Sequence, residues 1–491
     1  MKKSSGILMH ISSLSSPGGI GTLGQEAYDF ADFLQASGMQ IWQVLPIGPT
    51  GYGESPYQSS SVFAGNPLLI SCERLREEGL LNFEDNEACR PDNPETVPFD
   101  AVRESKTRLL RKCFAQSRES LQSQVDLFVK ENDWVWDFAL FTAVKAHFGG
   151  TMWSQWPDAD IRLRKAAAVR AYAEKLKEEI AYHIFCQFLV RRQWFALKKY
   201  CIEKGIRLFG DMPIYVAEDS ADTWTHPEIF QLDKNRIPKR VAGVPPDYFS
   251  EDGQLWGNPL YRWTYLRFRK YDWWVARMKG MAALYDMIRI DHFIGFANYY
   301  SVAHGATNAR NGRWIIGPGK ALFRRLRKEV PEIQIIAEDL GMANDRVHRL
   351  LDWCGYPGMK VLTFGFDSDE KNIHYIGNYT ANCVAYTGTH DNDTTLGWAE
   401  KADPKALKFA MDTLHFSTVS EAPEAFIQAL FSCPCDTVIV PMQDVLGLGG
   451  YARMNFPGTT GNNWGWRMKD GALTQELSMK LYLLNRKSGR L

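Results

Sequence analysis

Eight short apolar runs rich in β-branched residues recur along the chain, most of them separated by stretches of helical periodicity. This alternation constrains the fold more than any other feature. The runs are Ile7–Ile11, Ile41–Ile47, Ile206–Val216, Met287–Phe293, Ile333–Leu340, Lys360–Phe366, Cys383–Thr387 and Thr437–Val445. Gln25–Ala36 and Lys320–Val330 are examples of the helical stretches between them. Near-continuous apolar strands alternating with helices imply a parallel sheet covered on both faces. Eight of them point to an α/β fold of the (β/α)8 TIM-barrel type, spanning 1–491 as one catalytic unit. A doubly wound open sheet shares the same pattern. Two intervals exceed a simple crossover. Residues 72–204 read as a helical insertion between the second and third strands, with an amphipathic stretch from Ile161 to Tyr200. Residues 217–265 read as a loop insertion rich in aromatic residues after the third strand.

Composition narrows the partners. Lys+Arg and Asp+Glu both number 57, so net charge offers no reason to expect nucleic acid or an anionic membrane. No run of 18 apolar residues and no signal-peptide apolar region occurs. The nine cysteines include only one close pair, Cys433-Pro-Cys435, and C-x-C lacks the spacing of a C-x-x-C redox or zinc site. A cytoplasmic home is expected. Aromatic residues make up 13% of the chain, which serves a core and equally serves sugar stacking.

In a TIM barrel, chemistry gathers at the C-terminal ends of the strands. The third run there reaches Asp211, the fourth Asp291 and the fifth Glu338, and the seventh leads into His390-Asp391. Each carboxylate alone reads equally as a loop residue or a helix cap; four at one mouth do not. Arg289 and Asp291 stand two apart on one strand and face the same side. A guanidinium there keeps Asp291 ionised, as a nucleophile requires, or makes a structural ion pair. Glu338 follows Ile335-Ile336-Ala337, an apolar setting that favours its protonated form. Retaining glycosidases hold two such carboxyls roughly 5–5.5 Å apart.

Other motifs carry less. Gly19-Ile-Gly-Thr-Leu-Gly24 matches G-x-G-x-x-G, but Ser12–Pro17 separates it from the strand and no acidic residue lies about 20 positions on. There is no phosphate-loop lysine motif, no H-E-x-x-H and no G-x-S-x-G. The ten histidines lack metal-ligand spacing, so no metal or cofactor is expected.

Seven blocks resemble the amylomaltase (4-α-glucanotransferase) family, glycoside hydrolase family 77 of the α-amylase clan. They are Gly51-Tyr-Gly-Glu-Ser-Pro-Tyr-Gln58, Gly210-Asp-Met-Pro-Ile-Tyr-Val-Ala-Glu-Asp219, Gly243-Val-Pro-Pro-Asp-Tyr-Phe249 and Trp256-Gly-Asn-Pro-Leu-Tyr261. The others are Arg289-Ile-Asp-His-Phe293, Ala337-Glu-Asp-Leu-Gly341 and Tyr386-Thr-Gly-Thr-His-Asp-Asn392. The resemblance runs nearly end to end. It implies that Asp291 is the nucleophile, Glu338 the acid/base and Asp391 the stabiliser of the oxocarbenium-like transition state. It also implies that Asp211, Arg289 and His390 line the same sugar subsite, with Ser55 and Tyr57 near the scissile bond. Tyr248, Phe249, Gln254 and Trp256 match a loop covering the acceptor side, and Asn463-Trp464 a further substrate-contacting stretch. The expected substrates are maltooligosaccharides and α-1,4-glucans, as both donor and acceptor. The chain length further implies a short member without an N-terminal extension or a C-terminal β-domain. The rival readings are an α-1,4-glucan hydrolase, a non-catalytic glucan-binding protein and, from the glycine match alone, an NAD-dependent oxidoreductase.

Overall fold

The computed structural model describes residues 3–82, 91–246, 250–341, 344–367 and 369–491. Twelve strands form among these residues: β1 (Ser4–Leu8), β2 (Ile41–Gln43), β3 (Arg207–Met212), β4 (Arg240–Val244), β5 (Gln254–Pro259) and β6 (Met287–Ile290). They continue with β7 (Asn298–Ala303), β8 (Arg313–Ile316), β9 (Gln334–Ala337), β10 (Gly358–Val361), β11 (Cys383–Tyr386) and β12 (Thr437–Pro441). Eight of these make one all-parallel sheet in the order β10-β11-β12-β1-β2-β3-β6-β9. The Ala337 N–H donates to Pro357 O at 3.0 Å and brings the two ends of this sheet together. The result is a nearly closed (β/α)8 barrel, and each of the eight apolar runs supplies one of its strands.

The strands are almost wholly buried because helices cover their outer faces. Local signals set the helix ends. The helix Asp345–Cys354 starts where Asn344 Oδ1 accepts the Arg346 and Val347 N–H groups at 3.0 and 3.3 Å. It stops at Gly355, whose φ of 67° closes the last turn. On β3, a Cβ at Gly210 would lie 2.3 Å from the Tyr285 ring, so only glycine admits that ring beside the strand carrying Asp211.

Between β2 and β3 the described chain forms six α-helices, the longest being Phe99–Glu131 and Lys177–Glu203. They build a core of their own around Leu110, Phe138, Phe141, Trp153, Trp156 and Leu189. The Lys177–Glu203 helix belongs to both cores: Phe185 and Leu189 pack in the helical one, Trp194, Leu197 and Cys201 in the barrel. After β3 the chain contributes β4 and β5 to an antiparallel sheet ordered β5-β4-β7-β8. These four strands lie outside the eight runs read from the sequence. β8 is largely exposed and β5 half-buried, and β4 and β5 carry internal glycines, which masks strand character.

Candidate active site

Strand register assembles the site. Asp211 pairs with Arg289 across β3 and β6, and Ile290 pairs with Ala337 across β6 and β9. The ladder continues one step further. Asp291 N–H donates to Met212 O at 3.1 Å, and Glu338 N–H to Ile290 O at 3.0 Å. Asp211, Asp291 and Glu338 therefore stand on three adjacent strands around one mouth.

Arg289 is the central cation, only 3% exposed. It bonds Asp291 Oδ1 and lies 3.2 Å from Asp211 Oδ2, a charge contact whose angle falls outside a hydrogen bond. Burial opposes its charge, but Asp211, Tyr57, Asp291 and Glu338 together hold it firmly protonated. Tyr57 donates its hydroxyl to Asp211 Oδ2 at 2.8 Å. Asp211 thus lies beneath the cleft wall, behind Tyr57 and Arg289, and burial raises its carboxyl to about 7.

Glu338 accepts the His292 N–H at Oε2 (2.6 Å) and the Leu340 N–H at Oε1 (3.0 Å). Burial, followed by the charge of Asp291, raises it to about 8 despite these donors and Arg289. At neutral pH it is a protonated acid beside a carboxylate held by an arginine. An acid that keeps its proton beside an arginine-bound aspartate is what acid-plus-nucleophile chemistry needs.

On the other side of the mouth, Asp391 Oδ1 accepts the Asn455 Nδ2 at 2.6 Å, and Arg453 donates to the Asp391 carbonyl at 2.6 Å. His390 Nε2 stands 3.4 Å from Asp391 Oδ1. Burial lowers the His390 pKa, and its ring stacks on Tyr57 at 5.1 Å and 14°. Trp464 closes this corner, 5.7 Å from Tyr57 and 5.8 Å from His390.

The remaining expected residues divide. Ser55, Gln254 and Trp256 line the cleft; Ser55 Oγ accepts the Tyr57 N–H, and Gln254 Oε1 accepts the Trp256 indole N–H at 3.1 Å. Tyr248 and Phe249 lie outside the described residues. Asn463 spends its amide within its own loop, accepting from Phe456 N–H at 3.0 Å and donating to Thr459 O at 3.1 Å, while Trp464 beside it lines the cleft.

Sequence reasoning misses three residues of this site. Arg453 and Asn455 reach Asp391 from more than 60 positions away, a contact that no local pattern reveals. His292 sits within the Arg289–Phe293 block and takes a left-handed φ of 50°, uncommon for a residue with a side chain. That conformation accompanies the donation of its N–H to Glu338. Its ring meets Trp256 edge-on at 4.8 Å, and its Nε2 has no hydrogen-bond partner among the described residues. Burial lowers it to about 4, so the ring is neutral.

Tyr57, Arg289, Asp291, His292, Glu338, His390 and Asp391 open into one cleft of about 1750 Å³, which runs from the barrel mouth to Arg111, Lys145 and Glu179 of the helical segment. Among the described residues no cluster of His, Cys, Asp and Glu has the arrangement of a metal site.

A family model described as 4-alpha-glucanotransferase matches residues 9–474. The 4-alpha-glucanotransferase of Clostridium butyricum is 44% identical over 98% of this chain and 100% of its own length. That of Thermus thermophilus is 43% identical over 99% of both. Among solved structures, amylomaltase from Streptococcus agalactiae in complex with acarbose superposes with a TM-score of 0.97 at 40% identity, covering 100% of both chains. With its barrel, its carboxylates and these relatives taken together, the chain belongs to the 4-alpha-glucanotransferase family.

Proposed function

We propose that this chain carries out its family's 4-alpha-glucanotransferase reaction by retaining double displacement on α-1,4-glucans, with Asp291, Glu338 and Asp391 as the catalytic residues. Glu338 protonates the departing glycosidic oxygen while Asp291 attacks the anomeric carbon. The shortened donor leaves, and the 4-hydroxyl of an acceptor glucan gives its proton to Glu338 as it displaces Asp291. Asp391, fixed by Asn455 and Arg453, stabilises the oxocarbenium-like charge. Arg289 holds the Asp291 carboxyl in place through an ion pair, and Asp211 and Tyr57 hold Arg289. Ser55, Tyr57, Gln254, Trp256 and His390 contact the sugars, and Tyr248, Phe249 and Asn463 belong to the same substrate-facing segments by resemblance.

The observation that carries this reading is the pairing of an arginine-bound Asp291 with a buried, protonated Glu338 on the next strand. Transfer further requires that water be kept from the glycosyl-enzyme, and the apolar wall of Trp256 against His292 supports that. No described helix is long and apolar enough to cross a membrane. Among the described residues eight cysteines are free and buried, which supports work in a reducing cytoplasm.

Maltotriose separates the readings. Glucose together with maltopentaose and longer chains, abolished in Asp291→Asn, is the expected result. Maltose and glucose alone would make the protein a hydrolase, and longer products persisting in Asp291→Asn would remove Asp291 as nucleophile.

A further inference from the structure

At the end of the barrel opposite the cleft, three cysteines converge. Cys383 opens β11, and Cys435 lies two residues before β12, its neighbour in the sheet. Their sulfurs are 2.7 Å apart, and the Cys433 thiol is hydrogen-bonded to that of Cys435. The three sulfurs thus form a row, Cys433–Cys435–Cys383. Arg490 fixes the loop that carries two of them, donating to Phe431 O and Cys435 O at 3.0 Å and to Cys433 O at 3.0 Å. Lys3 Nζ adds a second cation, 3.2 Å from Cys433 O. The hydrogen bond from Cys435, with Arg490 and Lys3, lowers the Cys433 thiol to about 7, while Cys435 is raised. Cys433 is 4% exposed, Cys383 3% and Cys435 fully buried, so a water-sized reagent meets the two ends of the row before its middle, and of those two Cys433 is the one whose pKa is lowered. The catalytic reaction uses none of these groups.

We propose that Cys433, Cys435 and Cys383 form a peroxide-reactive thiol relay that ends in a reversible Cys383–Cys435 disulfide. The Cys433 thiolate attacks a peroxide oxygen; the O–O bond breaks, leaving a sulfenic acid on Cys433 and releasing water once the departing oxygen is protonated. The Cys435 sulfur attacks the sulfenic sulfur, forming a Cys433–Cys435 disulfide and expelling a second water. Cys383 Sγ then attacks Cys435 Sγ, giving up its proton to solvent, and displaces Cys433 as a thiolate, a better leaving group than Cys435 because its pKa is lowered and that of Cys435 raised. In sum, two thiols and one peroxide become one disulfide and two waters, and Cys433 is regenerated. The parallel pairing of β11 with β12 places Cys383 and Cys435 at adjoining strand entries, within ordinary disulfide reach.

The test treats the full chain with hydrogen peroxide, counts thiols after unfolding and maps linked peptides. Two fewer than the nine thiols are expected, with a Cys383–Cys435 link that a dithiol reductant reverses. Cys433→Ser should form that link about tenfold more slowly. Cys383→Ser should stop at a Cys433–Cys435 link. Retained maltotriose transfer in both variants serves as the check that they fold. Nine thiols surviving, a sulfinate on Cys433 without any link, or a link between other cysteines would overturn the relay.

Discussion

Glu338 carries the sharpest conflict between stability and chemistry. In the folded chain it keeps its proton up to about 8, against 4.5 for the free side chain, and Asp211 behaves likewise, about 7 against 3.8. Between those values the folded chain holds protons that the unfolded chain has released, so stability falls as pH rises through the window. Glu338→Gln removes one of these groups without changing its shape. The variant should be inactive, and its melting temperature relative to the parent should rise steadily from about pH 5 to about pH 9, offset by a pH-independent loss because the amide nitrogen cannot accept one of the two backbone N–H groups that Glu338 binds. A gap independent of pH would show that Glu338 does not titrate in this range. In the parent, transfer should decline as pH rises through about 8, where the acid is lost. Asn455 is a positioning residue, since its side-chain amide donates to Asp391 Oδ1 and so sets the direction of that carboxylate. Asn455→Ala should lower kcat by about ten- to a hundredfold with a smaller change in KM. An unchanged kcat would mean that Arg453 alone orients Asp391.

At the level of elements, the Lys177–Glu203 helix matters most, because one rigid rod contributes side chains to two cores. We infer that the helical segment between β2 and β3 does not melt as a separate unit. Leu189→Ala, deep in the helical core, should cost about 2–5 kcal/mol and shift one cooperative transition. A new early transition in calorimetry, with the main one unmoved, would contradict this. The same scale explains what is legible in the sequence. The barrel strands are buried on both faces, so their apolar runs announce them, and the carboxylates follow because strand ends define the mouth. β4, β5, β7 and β8 do not announce themselves, because β8 is largely exposed, β5 is half-buried, and β4 and β5 carry internal glycines, so no continuous apolar run marks them. Asn455 and Arg453 stay hidden for a related reason: their partner, Asp391, is fixed by tertiary folding, and neither residue belongs to a periodic pattern. Asp211 is evident from its place at a strand end, but its position behind Tyr57 depends on a loop contact 154 positions away.

For the molecule as a whole, charge balance has a kinetic consequence. Lys+Arg and Asp+Glu cancel at 57 each, and α-glucans are neutral, so no long-range field steers the substrate. The charges that matter are buried at the mouth, where Arg289 is 3% exposed and the adjacent carboxylates shield it. Salt screens exposed charges over a Debye length of about 10 Å at 0.1 M and reaches buried pairs far less. The value of kcat/KM for maltotriose should therefore change by less than about twofold between about 0.02 and 0.5 M salt. The cleft also reaches Arg111, Lys145 and Glu179, but Arg111 is paired with Glu179 and Lys145 with Asp219, so these cations are neutralised in place. Rates measured across that salt range decide the matter. A fall of tenfold or more would mean that the far end of the cleft binds substrate through unscreened cations, and that the charged groups there act as more than structural ion pairs.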